Sequence, residues 1–261
     1  MQFSHKQRSE FTMARQMLSN KHWSKLRKIM RNIGIYIKPN LRMTVEGIFY
    51  RIRVGCPWRD IPPEFGKWES VYQAFNRWSR KGKITDIFNL LVVEPDTEWE
   101  FIDGSYVKAH QHSTGAASSE NEAIGLSRGG NTTKIHMAVD SGGLPIHFKI
   151  TGGEVHDNVV AEELIVALPT ADYIIADKGY DSEATRNAIK KTGASPVIPR
   201  KKNSKIGNDE MDWCLYKYRH LVENVFARLK HFRAVATRYD KLKINFESSV
   251  ALAAGFLWLP M

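Results

Sequence analysis

The chain lacks the features that mark secreted and membrane proteins. Its 261 residues include only two cysteines, Cys56 and Cys214, which lie far apart and without metal-ligand spacing. They predict neither a disulfide framework nor a zinc site, and a reducing compartment is expected. Residues 1–16 are polar and basic, which is not typical of a secretory signal. The most apolar stretch, 250–259, is shorter than the ~20 residues that span a bilayer. We therefore expect a cytoplasmic protein without a membrane partner, in which 250–259 is a core helix.

Acidic residues are also in short supply relative to basic ones. Lys and Arg number 38 against 28 Asp and Glu, which gives a formal net charge of +10. This balance favours a polyanionic partner such as double-stranded DNA, although a solvated cationic surface would also account for it. With 43% hydrophobic residues the chain can build a real core, so a disordered protein is excluded.

Composition and periodicity divide the chain into three parts. Residues 1–18 are predicted to be a basic arm. Residues 19–93 contain four apolar patterns with helical spacing, of which the first is capped by Ser19 and the second ends near Gly55. The acidic segment 94–98 is the predicted linker to a second domain, residues 99–261.

The third predicted helix, residues 70–81, has the composition of a helix that reads DNA. Its apolar side carries Val71, Phe75 and Trp78, and its polar side carries Gln73, Asn76, Arg77, Arg80 and Lys81. Amides and guanidinium groups on an exposed helix face are suitable donors to base edges and phosphates. Residues 19–93 therefore predict a small all-α, helix-turn-helix-like DNA-binding domain. A helical bundle with a solvated third helix is an equally good interpretation of these residues alone.

Beyond residue 98 the pattern changes from helices to strands. Strands are predicted at 99–107, 134–139, 144–151, 173–176 and 196–199, with a hairpin turn at 140–143 and helices at 157–168 and 182–191. With a last helix that carries Glu223, the order βββαβαβα is that of the α/β ribonuclease-H-like fold, a mixed sheet flanked by helices. Segment 111–131 is predicted to be a flexible loop, because its many Ser, Gly and Ala residues bury too little apolar area to offset the ordering entropy.

Three acids lie where metal ligands are expected. Asp103 interrupts an apolar strand, and Asp177 follows the strand at 173–176. In open α/β sheets ligands gather outside the carboxyl ends of strands, and Glu223 supplies a third carboxylate from a helix. Converging carboxylates repel one another, and bound Mg²⁺ removes that conflict because it prefers oxygen ligands. Together the three acids predict a two-metal phosphoryl-transfer site, although each acid taken alone is more often structural.

The helix that carries Glu223 also has a polar stripe beside an apolar face. At about 100° per residue, an arc of about 60° holds Tyr216, Arg219, Glu223 and Lys230. The adjoining face carries Val222, Val225, Phe226, Leu229 and Phe232. One helix can therefore pack on a core and still present its acid to a substrate.

The spacing of this stripe, Tyr216-x2-Arg219-x3-Glu223-x6-Lys230, resembles the signature of the DDE transposases of bacterial insertion sequences. The resemblance is strongest to the insertion-sequence-five family. The family's first two acids lie in segments similar to 101–105 (FIDGS) and 176–181 (ADKGYD). Further similar stretches are 55–60 (GCPWRD), 128–136 (RGGNTTKIH) and 151–153 (TGG).

The resemblance implies a catalytic domain that cleaves the inverted-repeat ends of a mobile element and joins them to target DNA. Asp103, Asp177 and Glu223 would be the catalytic metal ligands for two Mg²⁺ ions, for which Mn²⁺ can substitute. The protein would act in the bacterial nucleoid as a homo-oligomer of at least two copies on DNA.

The other residues of the signature have implied roles at the DNA. Arg219 would orient Glu223 through a bidentate contact, Lys230 would hold a phosphate, and Tyr216 would position the terminal nucleotide. Lys178 and the pair 156–157 (HD) are weaker candidates, which a turn explains at least as well.

Two other functions stay open from the sequence. A ribonuclease-H-like nuclease would use the same metals to hydrolyse DNA without joining it. A non-catalytic, DNA-binding descendant of a transposase would bind DNA without cutting it. The helical N-terminal part favours recognition of element ends over the first alternative, and the three intact acids argue against the second.

Overall fold

The computed structural model describes residues 16–115, 122–202 and 204–261. Residues 1–15 of the predicted basic arm and 116–121 of the predicted flexible loop lie outside the described residues. None of the described helices is long and apolar enough to cross a membrane.

The N-terminal part contains the four predicted helices. They are α1 (Asn20–Asn32), α2 (Leu41–Val54), α3 (Trp68–Arg80) and α4 (Lys83–Leu91). Ser19 caps α1 by accepting a hydrogen bond from the His22 N–H at 3.1 Å. Gly55 ends α2 in the left-handed region, at φ 74°. Between α2 and α3 the proline-rich segment forms two short 3-10 turns, Trp58–Asp60 and Pro63–Phe65.

The end of the predicted arm is part of the folded helical region. The buried carboxylate of Glu46 accepts hydrogen bonds from the backbone N–H groups of Met17, at 2.7 Å, and Leu18, at 3.2 Å. The side chain of Leu18 is itself buried in the core. Met17 and Leu18 therefore belong to the folded part, because backbone hydrogen bonds and the burial of Leu18 fix them.

In the part of the chain that the structure describes, the second part is a mixed sheet of seven strands. Its strands are β1 (Trp99–Ala109), β2 (Gly125–Ser127), β3 (Gly130–Val139), β4 (Pro145–Gly152), β5 (Tyr173–Ala176), β6 (Ser195–Val197) and β7 (Thr237–Arg238). The long strand β1 pairs antiparallel with β3, which pairs antiparallel with β4. On its other edge β1 pairs parallel with β5, and β5 pairs parallel with β6. The central order β4-β3-β1-β5-β6 confirms the predicted ribonuclease-H-like fold class.

Helices flank this sheet. They are α5 (Asp157–Val166), α6 (Glu183–Lys191), α7 (Trp213–Tyr216), α8 (His220–Lys230), α9 (Arg233–Ala236) and α10 (Lys243–Trp258). The predicted apolar face of α8 is confirmed, because all five of its residues are buried. The predicted core helix at 250–259 is also confirmed, and it begins earlier, at Lys243.

Segment 111–131 is not a single loop, which corrects the prediction. It begins with a 3-10 turn, Gln111–Ser113, and later forms β2 and the start of β3. The composition of the segment is poor in apolar residues, but β2 pairs with β3 from Gly125 to Ser127. Backbone pairing therefore orders a stretch whose side chains give no strand signal.

The polar stripe does not lie on one continuous α-helix, which is a second correction. A 3-10 turn, Lys217–Arg219, joins α7 to α8. Tyr216 therefore ends one helical segment, Arg219 lies in the turn, and Glu223 and Lys230 lie on the next segment. Such 3-10 turns are common at the ends of α-helices, where the winding tightens.

The helical part and the sheet share one hydrophobic core. Helix α10 packs against both α4 and β4, and the Phe256 ring centroid lies 5.6 Å from that of Phe49. A buried ion pair joins Arg51 of α2 to Asp240, with Nη1 and Oδ2 3.2 Å apart. The segment 94–98 connects α4 to β1, and its role as a domain boundary stays a prediction.

Glu100 of β1 is a buried acid that the sequence pattern did not single out. Its side chain is fully buried, and in the described part of the chain neither carboxylate oxygen has a hydrogen-bond partner. Burial, together with the nearby charge of Asp140, raises the pKa of Glu100 from 4.5 to about 8. The protein therefore holds this carboxyl group in its neutral form at neutral pH.

We expect Glu100→Gln to flatten the pH dependence of stability. Because the folded-state pKa is raised, the native protein keeps a proton that the unfolded chain releases above pH 4.5. The stabilisation is complete below about pH 4.5 and is lost as the pH rises to about 8, by up to ~1.4 kcal/mol per pH unit. Urea unfolding at pH 5 and pH 8 measures the change. The exposed Glu98→Gln is the control, and an undiminished pH dependence in Glu100→Gln would contradict the assignment.

Candidate catalytic site

The sheet register places two of the predicted acids side by side. Ile102 of β1 pairs in parallel with Ala176 of β5, and Asp103 and Asp177 are the residues that follow. The Asp103 Oδ1 accepts a hydrogen bond from the Gly104 N–H at 2.7 Å. Asp177 accepts one from the Gly179 N–H, also at 2.7 Å, and so caps the 3-10 turn Lys178–Tyr180. Both carboxylates are therefore held by the main chain at one edge of the sheet.

The environment of Asp103 is crowded with negative charge. The pKa of Asp103 is raised to about 6, mainly by burial and to a smaller extent by the charges of Asp177 and Asp157. The Gly104 N–H and the Arg219 guanidinium act in the opposite direction. The site thus brings acids together in a partly desolvated place where a cation is favoured.

Arg219 links the third acid to the first. Its Nη1 donates to Asp103 Oδ2 at 2.8 Å, and its Nη2 donates to Glu223 Oε1. Arg219 therefore contacts Glu223 as expected, but the contact is not bidentate. Its two terminal nitrogens bind two different carboxylates, because Asp103 also lies within hydrogen-bond distance. The guanidinium carbon also lies 5.8 Å from the centroid of the Tyr216 ring.

Arg219 thus joins two of the three acids, Asp103 and Glu223, and Asp177 lies beside Asp103 at the end of the neighbouring strand. In the described ranges, no group of three or more His, Cys, Asp or Glu side chains is placed to hold a metal ion. The donor set still suits a hard divalent cation, since it consists of carboxylate oxygens and since a cationic group already lies between two of them.

Asp157, one of the weaker candidates from the sequence, belongs to a polar network near Asp103 with two residues that the sequence analysis did not single out, Lys134 and His136. Lys134 Nζ lies 2.8 Å from Asp157 Oδ2, and His136 Nδ1 lies 3.3 Å from Asp157 Oδ1. Burial would raise the pKa of Asp157, but His136 and Lys134 outweigh it and lower the pKa to about 2. Burial also lowers the pKa of His136. Asp157 therefore carries a negative charge beside the site at all physiological pH values.

Gly104 allows this network to approach the strand of Asp103. A Cβ atom at Gly104 would lie 2.6 Å from Asp157 Oδ1 and 2.9 Å from Lys134 Cε. The sequence did indicate that Lys134 and His136 are unusual, because both are polar residues in β3 and the adjoining residues of that strand are buried. Only the fold shows that Asp157 lies against them.

Tyr180 completes the surroundings of the acids. Its side chain is almost fully buried, and burial raises its pKa well above the usual value. The charges of Asp157, Asp103 and Asp177 raise that pKa further. Tyr180, which lies three residues after Asp177, therefore stays a neutral phenol near three carboxylates.

The remaining predicted DNA-contacting residues lie at two places on the surface. Lys178 is exposed directly after Asp177, and Lys230 is exposed at the end of α8, about 10 Å along the helix from Glu223. On α3, Arg80 is exposed and Asn76 is half-buried. Near them, a groove of about 440 Å³ is lined by polar and basic residues that include Lys38, Gln73, Arg77, Lys81 and Lys83.

Comparisons with protein families match both parts of the chain. A family model described as a transposase DDE domain matches residues 101–254, which contain the three acids. A family model described as a putative transposase of the IS4/5 family matches residues 18–88, the helical part.

Curated relatives agree with these matches. A putative transposase for insertion sequence element IS6501 of Brucella ovis is 36% identical over 132 residues, which cover 49% of this chain and 98% of that protein. A putative transposase for insertion sequence element IS402 of Burkholderia cepacia is 33% identical over 138 residues, which cover 49% of this chain and 59% of that protein. The chain thus spans little more than half the length of the second relative.

Solved structures give more distant matches. A cryo-EM structure of a piggyBac transposase synaptic complex with hairpin DNA matches with a TM-score of 0.39 and 10% sequence identity. The match covers 72% of this chain and 50% of that chain. A similarity at this level carries no functional argument.

Proposed function

The chain belongs to the family of transposases with a DDE domain, and from this premise we propose that it binds the ends of a mobile insertion element and catalyses metal-dependent DNA strand cleavage and strand transfer. The observation that carries the proposal is that Arg219 bridges Asp103 and Glu223 while Asp177 lies beside Asp103 at the end of the neighbouring strand. Asp103 lies in β1, Asp177 directly follows β5 and Glu223 lies on α8, and the ion pairs with Arg219 would by themselves explain only Asp103 and Glu223.

In this proposal the three acids hold two Mg²⁺ ions, or Mn²⁺ in their place. When bound, such ions activate the attacking water or 3′-hydroxyl and stabilise the leaving oxygen. The chain's own residues position the acids. The main-chain N–H groups of Gly104 and Gly179 fix Asp103 and Asp177, and Arg219 keeps Glu223 next to them until the site is loaded.

The surrounding polar residues act on the DNA. Lys178 directly follows Asp177 and Lys230 lies two turns after Glu223; both are exposed and would each neutralise a phosphate, while Tyr216 would position the terminal nucleotide. The groove beside α3 would bind element ends through Gln73 and Arg77. Joining two ends of an element requires at least two copies of the chain, so we propose that a homo-oligomer assembles on DNA in the bacterial nucleoid.

The decisive experiment uses labelled duplexes that carry the inverted repeats flanking the coding DNA. The protein, Mg²⁺ and a supercoiled target plasmid are added, and the label is followed by gel electrophoresis. The proposal predicts that the labelled 3′ end becomes joined to the plasmid. Cleavage without joining would instead identify a nuclease, and binding without any Mg²⁺-dependent cleavage would identify a non-catalytic DNA-binding protein.

A salt titration tests the electrostatic part of the proposal. When Z phosphates are neutralised, the logarithm of the binding constant falls with the logarithm of salt concentration at a slope of about −0.9Z. We expect Arg77→Ala and Lys230→Ala each to reduce the steepness of that slope by about one unit, measured by fluorescence anisotropy. Lys191→Ala, exposed at the end of α6, should leave the slope unchanged. An unchanged slope for both test variants would contradict their placement at phosphates.

A further inference from the structure

The start of α5 carries two polar residues that lie beside the acids and have no part in the proposed chemistry. Asp157 and Asn158 are the first two residues of this helix, and both are half-buried. A turn explains only His156, whose side chain caps α5 by accepting a hydrogen bond from the Asn158 N–H at 3.4 Å. The cap leaves the two side chains that follow it unexplained.

Asp157 lies against the glycine that holds the first acid. The Gly104 N–H donates to Asp103 Oδ1, and a Cβ atom at Gly104 would lie only 2.6 Å from Asp157 Oδ1. The Asp157 carboxylate therefore packs directly on the main chain of β1 at this glycine. Because successive residues of a strand point to opposite faces, the carboxylate supports β1 from the face opposite the Asp103 side chain.

Strand β3 fixes the Asp157 carboxylate in this position. Lys134 Nζ lies 2.8 Å from Asp157 Oδ2, and His136 Nδ1 lies 3.3 Å from Asp157 Oδ1. Lys134 is 3% exposed and His136 is fully buried, so both partners lie in a closely packed interior where side chains have little room to move. The carboxylate would have to break a buried ion pair to leave Gly104.

Asn158 holds the turn that follows the second acid. In the amide orientation that satisfies both groups, its side-chain nitrogen donates to the carbonyl oxygens of Gly179, at 3.1 Å, and Tyr180, at 3.2 Å. The reverse orientation would place the amide oxygen against these two acceptors. The N–H of the same Gly179 donates to Asp177 Oδ1 at 2.7 Å. Asn158 therefore binds the residue whose N–H fixes Asp177.

The two glycines whose N–H groups hold the strand acids are thus contacted by consecutive residues of one helix. The start of α5 connects β1 to the turn after β5 at the edge where both acids lie. We propose that Asp157 and Asn158 are positioning residues for the metal site. They set the distance between Asp103 and Asp177 without touching a metal ion. The inference rests on the proposed function, since that function supplies the metal ions.

Mg²⁺ is more sensitive than Ca²⁺ to the distance between two carboxylates. Mg²⁺ demands nearly ideal octahedral geometry with oxygens at about 2.0–2.1 Å, whereas Ca²⁺ accepts oxygens at about 2.3–2.6 Å in flexible arrangements. Displacement of one carboxylate should therefore weaken Mg²⁺ binding more than Ca²⁺ binding. Loss of a nearby negative charge weakens the binding of both ions to a similar extent, because both are divalent. The ratio of the two affinities separates positioning from charge.

Two variants at the start of α5 test the proposal. Asn158→Ala removes the amide that holds the turn and leaves the charge of the site unchanged. Asp157→Asn keeps the size of the side chain but breaks the buried ion pair. The matched controls are Asn187→Ala, at an exposed asparagine on α6, and Glu162→Gln, at an exposed acid further along α5. Thermal unfolding shows whether each full-length variant is folded, and Asn158→Ala decides the test if Asp157→Asn is not.

Binding of Mg²⁺ and of Ca²⁺ to each variant is measured in separate calorimetric titrations. We expect Asn158→Ala and Asp157→Asn to weaken Mg²⁺ binding about tenfold, since loss of a group that orients metal ligands costs about 10–100-fold in affinity. The ratio of the Mg²⁺ affinity to the Ca²⁺ affinity should fall at least about fivefold in both variants. Both controls should keep the wild-type ratio.

An unchanged ratio in folded Asn158→Ala would overturn the positioning role, whether both ions bind normally or are weakened equally. Asp103→Asn distinguishes this outcome from a failure of the proposed function, because loss of a metal ligand should remove most of the affinity for both ions. If the wild-type protein binds no Mg²⁺, or if Asp103→Asn binds Mg²⁺ as the wild type does, the proposed metal site is wrong and the positioning inference is overturned with it.

Discussion

Replacing Asp103 by Asn should reduce Mg²⁺-dependent strand cleavage and joining by at least about a thousandfold. The amide has the size of the carboxylate but removes a charged metal ligand, and loss of several kcal/mol of metal-mediated stabilisation corresponds to a rate loss of this order. Binding of element ends should change by less than about threefold, because phosphate contacts lie elsewhere. Cleavage rates on labelled end duplexes and anisotropy on the same duplexes measure the two quantities.

The matched control for this variant is Asp172→Asn. Asp172 is exposed directly before β5, whereas Asp177 follows the other end of the same strand. The control should therefore cleave at the wild-type rate. A near-normal cleavage rate in Asp103→Asn would exclude this residue as a metal ligand, whatever the family resemblance implies.

The other two acids should behave as one unit with Asp103. Asp177→Asn and Glu223→Gln are expected to show losses of the same order, and the double variants little further loss, since groups that act together are not additive. Substantial activity in Glu223→Gln alone would mean that the contact of Glu223 with Arg219 is structural. The metal site would then consist of Asp103 and Asp177.

Much of the order of elements could be predicted from the sequence because it depends on local patterns. The long strands β1, β3 and β4 were predicted to within four residues of their observed ends, and a short apolar run predicted β5 at its observed bounds. Asp177 was predicted to lie in a site because ligands gather at the carboxyl ends of strands, and the strand register places it beside Asp103, which lies within β1. Ser19 and Gly55 were predicted at the ends of helices from capping chemistry alone.

The parts that could not be predicted depend on contacts between distant residues. Strand β7 has two residues, too few for any periodicity. The binding of Arg219 to two different acids could not be predicted, because Asp103 lies 116 residues before Arg219 in the chain. The contacts of Asp157 with Lys134 and His136 could not be predicted either, because these residues are separated from it in sequence and meet it only in the folded chain. Local propensity carries no information about such pairs.

Arg238 is another residue whose importance only the fold reveals. The side chain is fully buried in β7. Its guanidinium donates to four main-chain carbonyls, those of Glu122, Ala123, Asp240 and Lys241, and to the hydroxyl of Thr133. Burial lowers its pKa only to about 10, so it stays cationic at neutral pH. It therefore connects β7 and the turn after it to the segment before β2 and to β3.

Arg238→Ala should lower the free energy of unfolding by at least about 3 kcal/mol. The change leaves several buried carbonyl oxygens without a donor, and each costs about 1–3 kcal/mol unless water enters. Arg238→Lys should also destabilise, because three donors on a flexible stem cannot replace a planar fork with five. Urea unfolding at neutral pH measures both variants against Arg228→Ala, an exposed arginine on α8 whose loss should cost less than about 0.5 kcal/mol. A cost for Arg238→Ala as small as that of Arg228→Ala would mean that the segment 122–123 and the turn after β7 are held together by other contacts.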